Sequence, residues 1–336
     1  MWTGLTPPQR IFYGRRFRRV LLNPPDFEPG SWCGAGKLLI DVDSEEYWLT
    51  SRPRKGAERR GYAVEIYRAR DGESFTLATW ITKEELSEII GERIQSIENQ
   101  QLLRDPATGK YHLYLSLDVY RENVAGEATR IYESKWETYL MTADDPAGPW
   151  RGEGFVLRGD QEYDSAEARD CTIDIVDGRY FCLYKARKAG TSRVNMALAI
   201  SSDGRRWRKL GIVKIDGRDQ PKFLMLSGSI MAGCTGPVYV GTLTKYVVKG
   251  AALTKHFAAY TIDYRNLNLE EIFTAEWKAG SRYEHETYPI HTYSNVVYDP
   301  IRELWLIIVE AVDPMYSKEP GLNLEVDRLL LYTSRC

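Results

Sequence analysis

The sequence predicts an all-β fold of five repeated four-stranded units, and three observations carry that expectation. Helical periodicity is nearly absent. A turn followed by an aromatic-rich strand recurs five times, as DSEEYWLTS (43–51), DPATGKYHLYLS (105–116), VDGRYFCLYK (176–185), GCTGPVYVGTLT (233–244) and DPIRELWLIIVE (299–310). A second strand-turn-strand segment follows each: IYRARDGESFTLATW (66–80), YLMTADDPAGPWRGEGFVL (139–157), MALAISSDGRRWRKLGIVK (196–214), FAAYTIDYRNLNLEEIF (257–273) and a shortened LLLYTS (329–334). Units reading strand, tight turn, strand, long loop, strand, turn, strand, each about one-fifth of the chain, are the signature of a five-bladed β-propeller. A pair of β-sandwiches with coincidental spacing is the competing arrangement.

Taken in order, the units fall near residues 30–80, 98–158, 167–215, 220–277 and 285–336, within a single domain spanning 1–336. In the second, third and fifth, Asp-x-x-x-Gly-Lys, Asp-Gly and Asp-Pro supply the hairpin turn, and in all five alternating aromatic residues supply a half-buried strand. The last unit stops before its outer strand, so residues 17–22, FRRVLL, are expected to fill that place and close the ring. The best helical stretch is 82–97, TKEELSEIIGERIQSI, where Leu86, Ile89, Ile90, Ile94 and Ile97 share one face.

Composition narrows the function. The 45 basic and 47 acidic residues give a formal charge of −2, which leaves no global field for nucleic acid or an anionic membrane. The five cysteines include no CxxC pair, so neither a disulfide framework nor a zinc site is indicated. Neither a secretory leader nor a transmembrane run is recognisable, and a cytoplasmic protein is expected. Aromatic residues at 12% suit strands and sugar-stacking surfaces equally.

The stretch EARDCTIDIVDGRYFCLYKARK (167–188) carries charge at both ends of one hairpin. Because blade strands are antiparallel, the start of the inner strand and the end of the next lie on the same face near the axis. Glu167, Arg169 and Asp170 are therefore expected to share a rim with Lys185, Arg187 and Lys188. Other units add Glu98, Asn99, Gln100 and Asp118, then Glu284, His285, Glu286, His291, Glu310 and Asp313, and in the first unit Trp32, Arg52 and Arg54. Carboxylates converging on a narrow axis raise one another's pKa, while basic neighbours keep another ionised. That division is what glycosidic hydrolysis requires. Asp170 and Glu98 are the preferred catalytic pair, with Glu286 in reserve. Arg169, Glu167, Lys185, Arg187 and His291 are candidate substrate-binding groups, and Trp32 and Tyr288 candidate stacking faces. Each has a structural alternative: an Asp170–Arg169 pair, a helix end at Glu98, or a core hydrogen bond for His291. No cofactor or metal is indicated, and the expected partner is a carbohydrate.

The phrases DPATGKYHLYLS, ADDPAGPW, VDGRYFCLYKA and AISSDGRRWRKLG resemble blade motifs of the five-bladed propeller glycoside hydrolases, the group of arabinanases, β-xylosidases, fructosidases and mannoside phosphorylases. The resemblance runs from about residue 30 to 334. For the arabinanase and xylosidase branch it implies acids at the inner-strand starts of the first, third and fourth blades. A-R-D-C at Asp170 is similar to the third, whereas S-W-C-G-A-G and Q-P-K-F-L-M-L-S-G-S lack an acid. In the phosphorylase branch, S-I-E-N-Q-Q at Glu98 is loosely similar to an acidic second-blade phrase, and E-A-V-D at Glu310 and Asp313 to a fifth-blade one. That branch implies one carboxylic acid, with phosphate held by basic groups such as Lys185, Arg187, Arg169 or His291. The expected function is a glycoside hydrolase acting on short oligosaccharides or glycosides; a glycoside phosphorylase and a non-catalytic carbohydrate-binding propeller are the alternatives.

Overall fold

The computed structural model describes residues 6–56, 60–120, 135–245, 247, 252–317 and 324–335. A short helix α1 (Pro8–Tyr13) and strand β1 (Arg16–Leu22) come first. Four antiparallel strands then form a first unit, β2 (Trp32–Asp41), β3 (Glu46–Arg54), β4 (Ala63–Ala69) and β5 (Thr76–Thr82). After helix α2 (Lys83–Ile90), a second unit holds β6 (Ile94–Arg104), β7 (Tyr111–Val119), β8 (Lys135–Ala143) and β9 (Arg151–Leu157). The third holds β10 (Glu167–Val176), β11 (Arg179–Arg187), β12 (Asn195–Ser201) and β13 (Arg208–Ile212). Next come the two-residue β14 (Lys214–Ile215) and a fourth unit, β15 (Met225–Ala232), β16 (Pro237–Thr244), β17 (His256–Asp263) and β18 (Asn268–Glu276). Last are β19 (Ile290–Asp299), β20 (Leu304–Val312) and β21 (Asp327–Arg335), and β1 pairs antiparallel with β21, the position expected for 17–22.

Turn chemistry explains the hairpins. Asp177 and Gly178 both take positive φ, 51° and 73°, the conformation of a two-residue type I′ turn whose twist matches the flanking strands. Three other hairpins use a second solution. Asp41, Asp263 and Asp299 each end a strand and accept backbone N–H groups of the turn through the carboxylate. The turn then closes through a left-handed residue: Glu45, Leu267 and Glu303. The aspartates visible in the sequence are thus turn caps.

The helix is shorter than its apolar pattern. Thr82 and Glu85 form a capping box at its start, and Gly91, at φ 74°, ends it. Ile94 and Ile97 belong to β6, so Glu98 lies inside a strand and does not terminate the helix.

Apolar layers fill the spaces between successive units. Ile66 shares a cluster with Leu113 and Met141, Leu140 with Ala197, Leu198 with Tyr260, Val240 with Trp305, and Leu306 with Leu49. The first strands of the units, β2, β6, β10, β15 and β19, neighbour one another in that order, and β19 also neighbours β2. Helix α1 seals one seam: Phe12 is 2% exposed and packs against Phe257, Phe273 and Trp277. Truncating it leaves a cavity that β-sheet on two sides cannot collapse into. Phe12→Ala is expected to lower the unfolding free energy by about 3–5 kcal/mol in urea titration; a loss below about 1 kcal/mol would show that α1 does not contribute to the core.

Candidate active site

The hairpin β10–β11 places charge at one end by register. Glu167 is opposite Arg187 and Arg169 opposite Lys185, so the start of β10 and the end of β11 share one rim. Beyond them the pairing slips between Arg169 and Thr172. Equivalent slips occur in β2 between Gly34 and Lys37, in β6 between Ile97 and Gln100, and in β19 between Ile290 and Ser294. A bulge opposes two residues to one and re-aims the side chain that alternation would send elsewhere. Asp170, Ala35 and Thr292 take positive φ at these points, 54°, 55° and 67°, a strained conformation costing on the order of 1–3 kcal/mol each. Strand β15 pairs without interruption, and it contributes no acid.

The bulges and strand ends gather a continuous ionic network. Glu167 accepts Arg187 Nε at 2.6 Å and Arg169 Nε at 3.1 Å, with Lys185 Nζ 3.2 Å away. Arg169 Nη1 then lies 3.4 Å from Asp170 Oδ2 and 3.9 Å from Glu98 Oε1. Lys185 is 3.9 Å from the same Asp170 oxygen. On the other side of Glu98, Arg52 donates through Nε to the Glu98 carbonyl at 2.7 Å, and its Nη2 stands 3.9 Å from Oε1. Arg60 reaches Asp118 at 3.7 Å. His291 Nδ1 and Asp327 Oδ2 are 2.5 Å apart, and Glu310 accepts the Ala35 N–H at 3.2 Å. A side chain at Gly34 would displace the ends of Glu310 and Arg52, whose Oε1 and Nη2 lie 2.6 and 2.8 Å from an added Cβ.

Three expected residues do not join this arrangement as stacking or catalytic groups. Trp32 is 3% exposed, with the Arg54 guanidinium 3.8 Å over its ring and the His291 ring edge-on at 4.4 Å; its faces are covered, so it braces cations and offers no sugar platform. Tyr288 packs beside Leu253 and Val312. Glu286 is exposed on the loop before β19, because the residue turned inward there is Glu284, whose carboxylate accepts Trp277 Nε1, Gly280 N and Ser281 N. Glu286 lines an open cavity of about 740 Å³ with Ser281, His285 and Ser317. That lining contains none of Glu98, Asp170, Glu310 or Asp327. Sequence reasoning missed Asp327 and Arg60; the only signal for Asp327 is a charged residue opening the apolar run that becomes β21.

Comparison with solved structures decides the architecture. A glycosyl hydrolase from Bacteroides ovatus superposes with a TM-score of 0.60 at 11% identity, covering 99% of this chain and 96% of its own. A thermostable family-43 glycoside hydrolase gives 0.61 at 11%, covering 89% and 88%. Sucrose-6-phosphate hydrolase from Lactobacillus gasseri gives 0.64 at 11%, covering 95% of this chain and 61% of its own. The fold is that of the propeller glycoside hydrolases. No family model matches the sequence, and no curated protein matches it either.

Electrostatics divides the propeller's carboxylates into two classes. Burial pushes Glu98 up, but Arg52, Arg169, Arg60 and Arg54 outweigh it and hold the carboxyl at about 2. Glu167, buried among Arg169, Lys185 and Arg187, is held well below the usual carboxylate range. The opposite class rises because desolvation wins: Asp170 is raised, with Glu98 and Glu167 adding to burial, Asp118 is pushed up to about 7, Asp327 to about 6 and Glu310 to about 8. His291 goes up to about 9, because the charge of Asp327 and the hydrogen bond to it overcome burial. His291, Glu310 and Asp327 also offer ligand atoms within 4.8 Å of one another. The imidazole Nδ1 is already engaged by Asp327, which favours a hydrogen-bonded His291–Asp327 pair over a cation site.

Glu310 gives a direct test of this field. Its folded-state value, about 8, exceeds the ordinary 4.5. The stability it contributes is therefore complete below pH 4.5 and is lost as pH rises through about 8. Glu310→Gln is expected to reduce the decline of unfolding free energy across that window, measured by urea titration at several pH values. A variant profile as steep as the parent's would contradict the assignment.

Proposed function

We propose that the chain is a glycoside-active enzyme that hydrolyses glycosidic bonds of short oligosaccharides or glycosides at the axis of one five-bladed propeller. In this reading residues 1–336 form a single domain and β1 completes the fifth blade, closing the ring. The cyclic adjacency of the first strands and the apolar layer between Leu306 and Leu49 support that closure.

The observation that carries the reading is the placement of Glu98 and Asp170 on one guanidinium nitrogen. Their oxygens lie 3.9 and 3.4 Å from Arg169 Nη1. Two carboxylates so tied are close enough for the spacing of retaining enzymes, about 5–5.5 Å, or for the short end of the inverting range, about 6.5 Å. Their protonation is opposite: Glu98 is held ionised and Asp170 is pushed toward the acid. Neither oxygen of Asp170 makes a hydrogen bond, so no acceptor within the protein holds its proton, and in this reading a leaving-group oxygen takes it. Glu98 supplies negative charge to the developing oxocarbenium ion and either takes the proton of an attacking water or attacks the anomeric carbon, forming a glycosyl ester that water then hydrolyses. Glu167 fixes Arg169, Lys185 and Arg187 by direct contact and acts as a positioning residue.

A panel of aryl glycosides and short oligosaccharides, assayed with and without inorganic phosphate, tests the reading. Glu98→Gln and Asp170→Asn are each expected to reduce kcat about 10²- to 10⁴-fold on any accepted substrate. Turnover that requires phosphate would identify phosphorolysis in place of hydrolysis. Undiminished turnover in both variants, or saturable sugar binding with no turnover in the parent, would overturn the catalytic assignment.

A further inference from the structure

The guanidiniums around Glu98 lie among carboxylates that favour their charge, yet several of their nitrogens have no acceptor. Arg52 is fully buried, yet neither Nη1 nor Nη2 makes a hydrogen bond; Arg169 is 8% exposed and its Nη1 makes none. Both approach Glu98 Oε1 and stop at 3.9 Å, beyond hydrogen-bond reach. Arg54, two residues from Arg52 on the same face of β3, has a buried Nε without a partner and rests on Trp32. Arg169 is anchored through Nε by Glu167, but burying guanidinium N–H groups without acceptors is costly. A sugar hydroxyl can accept a single hydrogen bond from a guanidinium, whereas a planar oxyanion offers two acceptor oxygens matched to its fork and a countercharge as well.

We infer that Arg52 and Arg169 form an oxyanion subsite on either side of Glu98, and that the glycoside bound there carries the carboxylate of a sugar acid. The inference deepens the glycoside-active reading and rests on it for placing a sugar at the axis. Arg169 is shared with Asp170, which sets the charged substituent beside the bond to be cleaved. Arg52 has no such second duty, and its backbone position on β3 opposite Gly34 fixes it close to Glu310 and the bulge of β2. Free inorganic phosphate offers the same oxyanion chemistry and is the competing source.

Binding, measured calorimetrically on the full chain, separates these. Galacturonate and glucuronate are compared with galactose, glucose and inorganic phosphate. The sugar acids are expected to bind at least tenfold more tightly than their neutral counterparts, with the preference weakened by added salt. Arg52→Gln and Arg52→Lys are each expected to erase most of that preference. The comparison within the parent protein stands even if a buried-arginine variant fails to fold. Equal affinity for acid and neutral sugars, or no measurable binding of either acid, overturns the inference. Phosphate binding as tight as the sugar acids assigns the subsite to free phosphate and overturns the carboxylate assignment. Because the readout is binding, sugar acids that bind while no glycoside is turned over would sink the catalytic reading and leave the subsite intact.

Discussion

The structure depends on how strands that cannot pair through their backbones are held side by side. Among the described residues, β2, β6, β10, β15 and β19 share no ladder with one another, and polar side chains do the joining. Asn99 on β6 donates to the Cys171 carbonyl on β10 at 2.9 Å, and Gln100 donates to the Ala35 carbonyl on β2 at 2.6 Å. Lys37 on β2 donates to the Gly228 and Ser294 carbonyls at 2.8 and 3.0 Å. Asn295 accepts the Leu38 N–H, and Asp174 accepts the Ile230 N–H. Each cross-link satisfies a backbone group that would otherwise be buried unpaired. A polar axis is therefore a structural necessity of this arrangement before it is a functional device.

Charge is gathered at one end of that axis by bulges. Where alternation is broken, a residue that should face a neighbouring sheet faces the axis instead, and Asp170 and Glu98 stand at two such breaks. Once several carboxylates and guanidiniums are buried together, their protonation is decided by neighbours. Glu98 and Glu167 are crowded by cations and stay ionised; Asp118, Glu310 and Asp327 have fewer and are pushed toward the acid. Two populations of carboxylate with different protonation follow from one network, with no residue acting alone.

Much of this was legible in the sequence because turns and alternation are local. The Asp-Gly of β10–β11 and the strand-ending aspartates mark hairpins wherever they occur, and antiparallel register alone places Glu167 opposite Arg187. What escaped were features set by tertiary contact. The apolar face of 82–97 continues past Gly91, and only the left-handed turn there separates helix from strand. Trp32 has the composition of a stacking platform, but Arg54 and His291 occupy its surroundings. Glu284, Glu286 and Glu310 are indistinguishable by type, and the fold buries the first as a loop anchor, exposes the second and turns the third toward Ala35. A bulge leaves no sequence signal of its own in A-R-D-C or S-I-E-N-Q, so the inward aim of Asp170 and Glu98 could be argued only from charge placement.

The central claim is that a sugar is handled where these bulges converge. A crystal structure of Glu98→Gln soaked with an accepted oligosaccharide tests it most directly. The account predicts sugar density between Glu98, Asp170 and Arg169, with the glycosidic oxygen within hydrogen-bond distance of Asp170. Density confined to the cavity lined by Ser281, His285 and Glu286, with the axis holding only solvent, would contradict it.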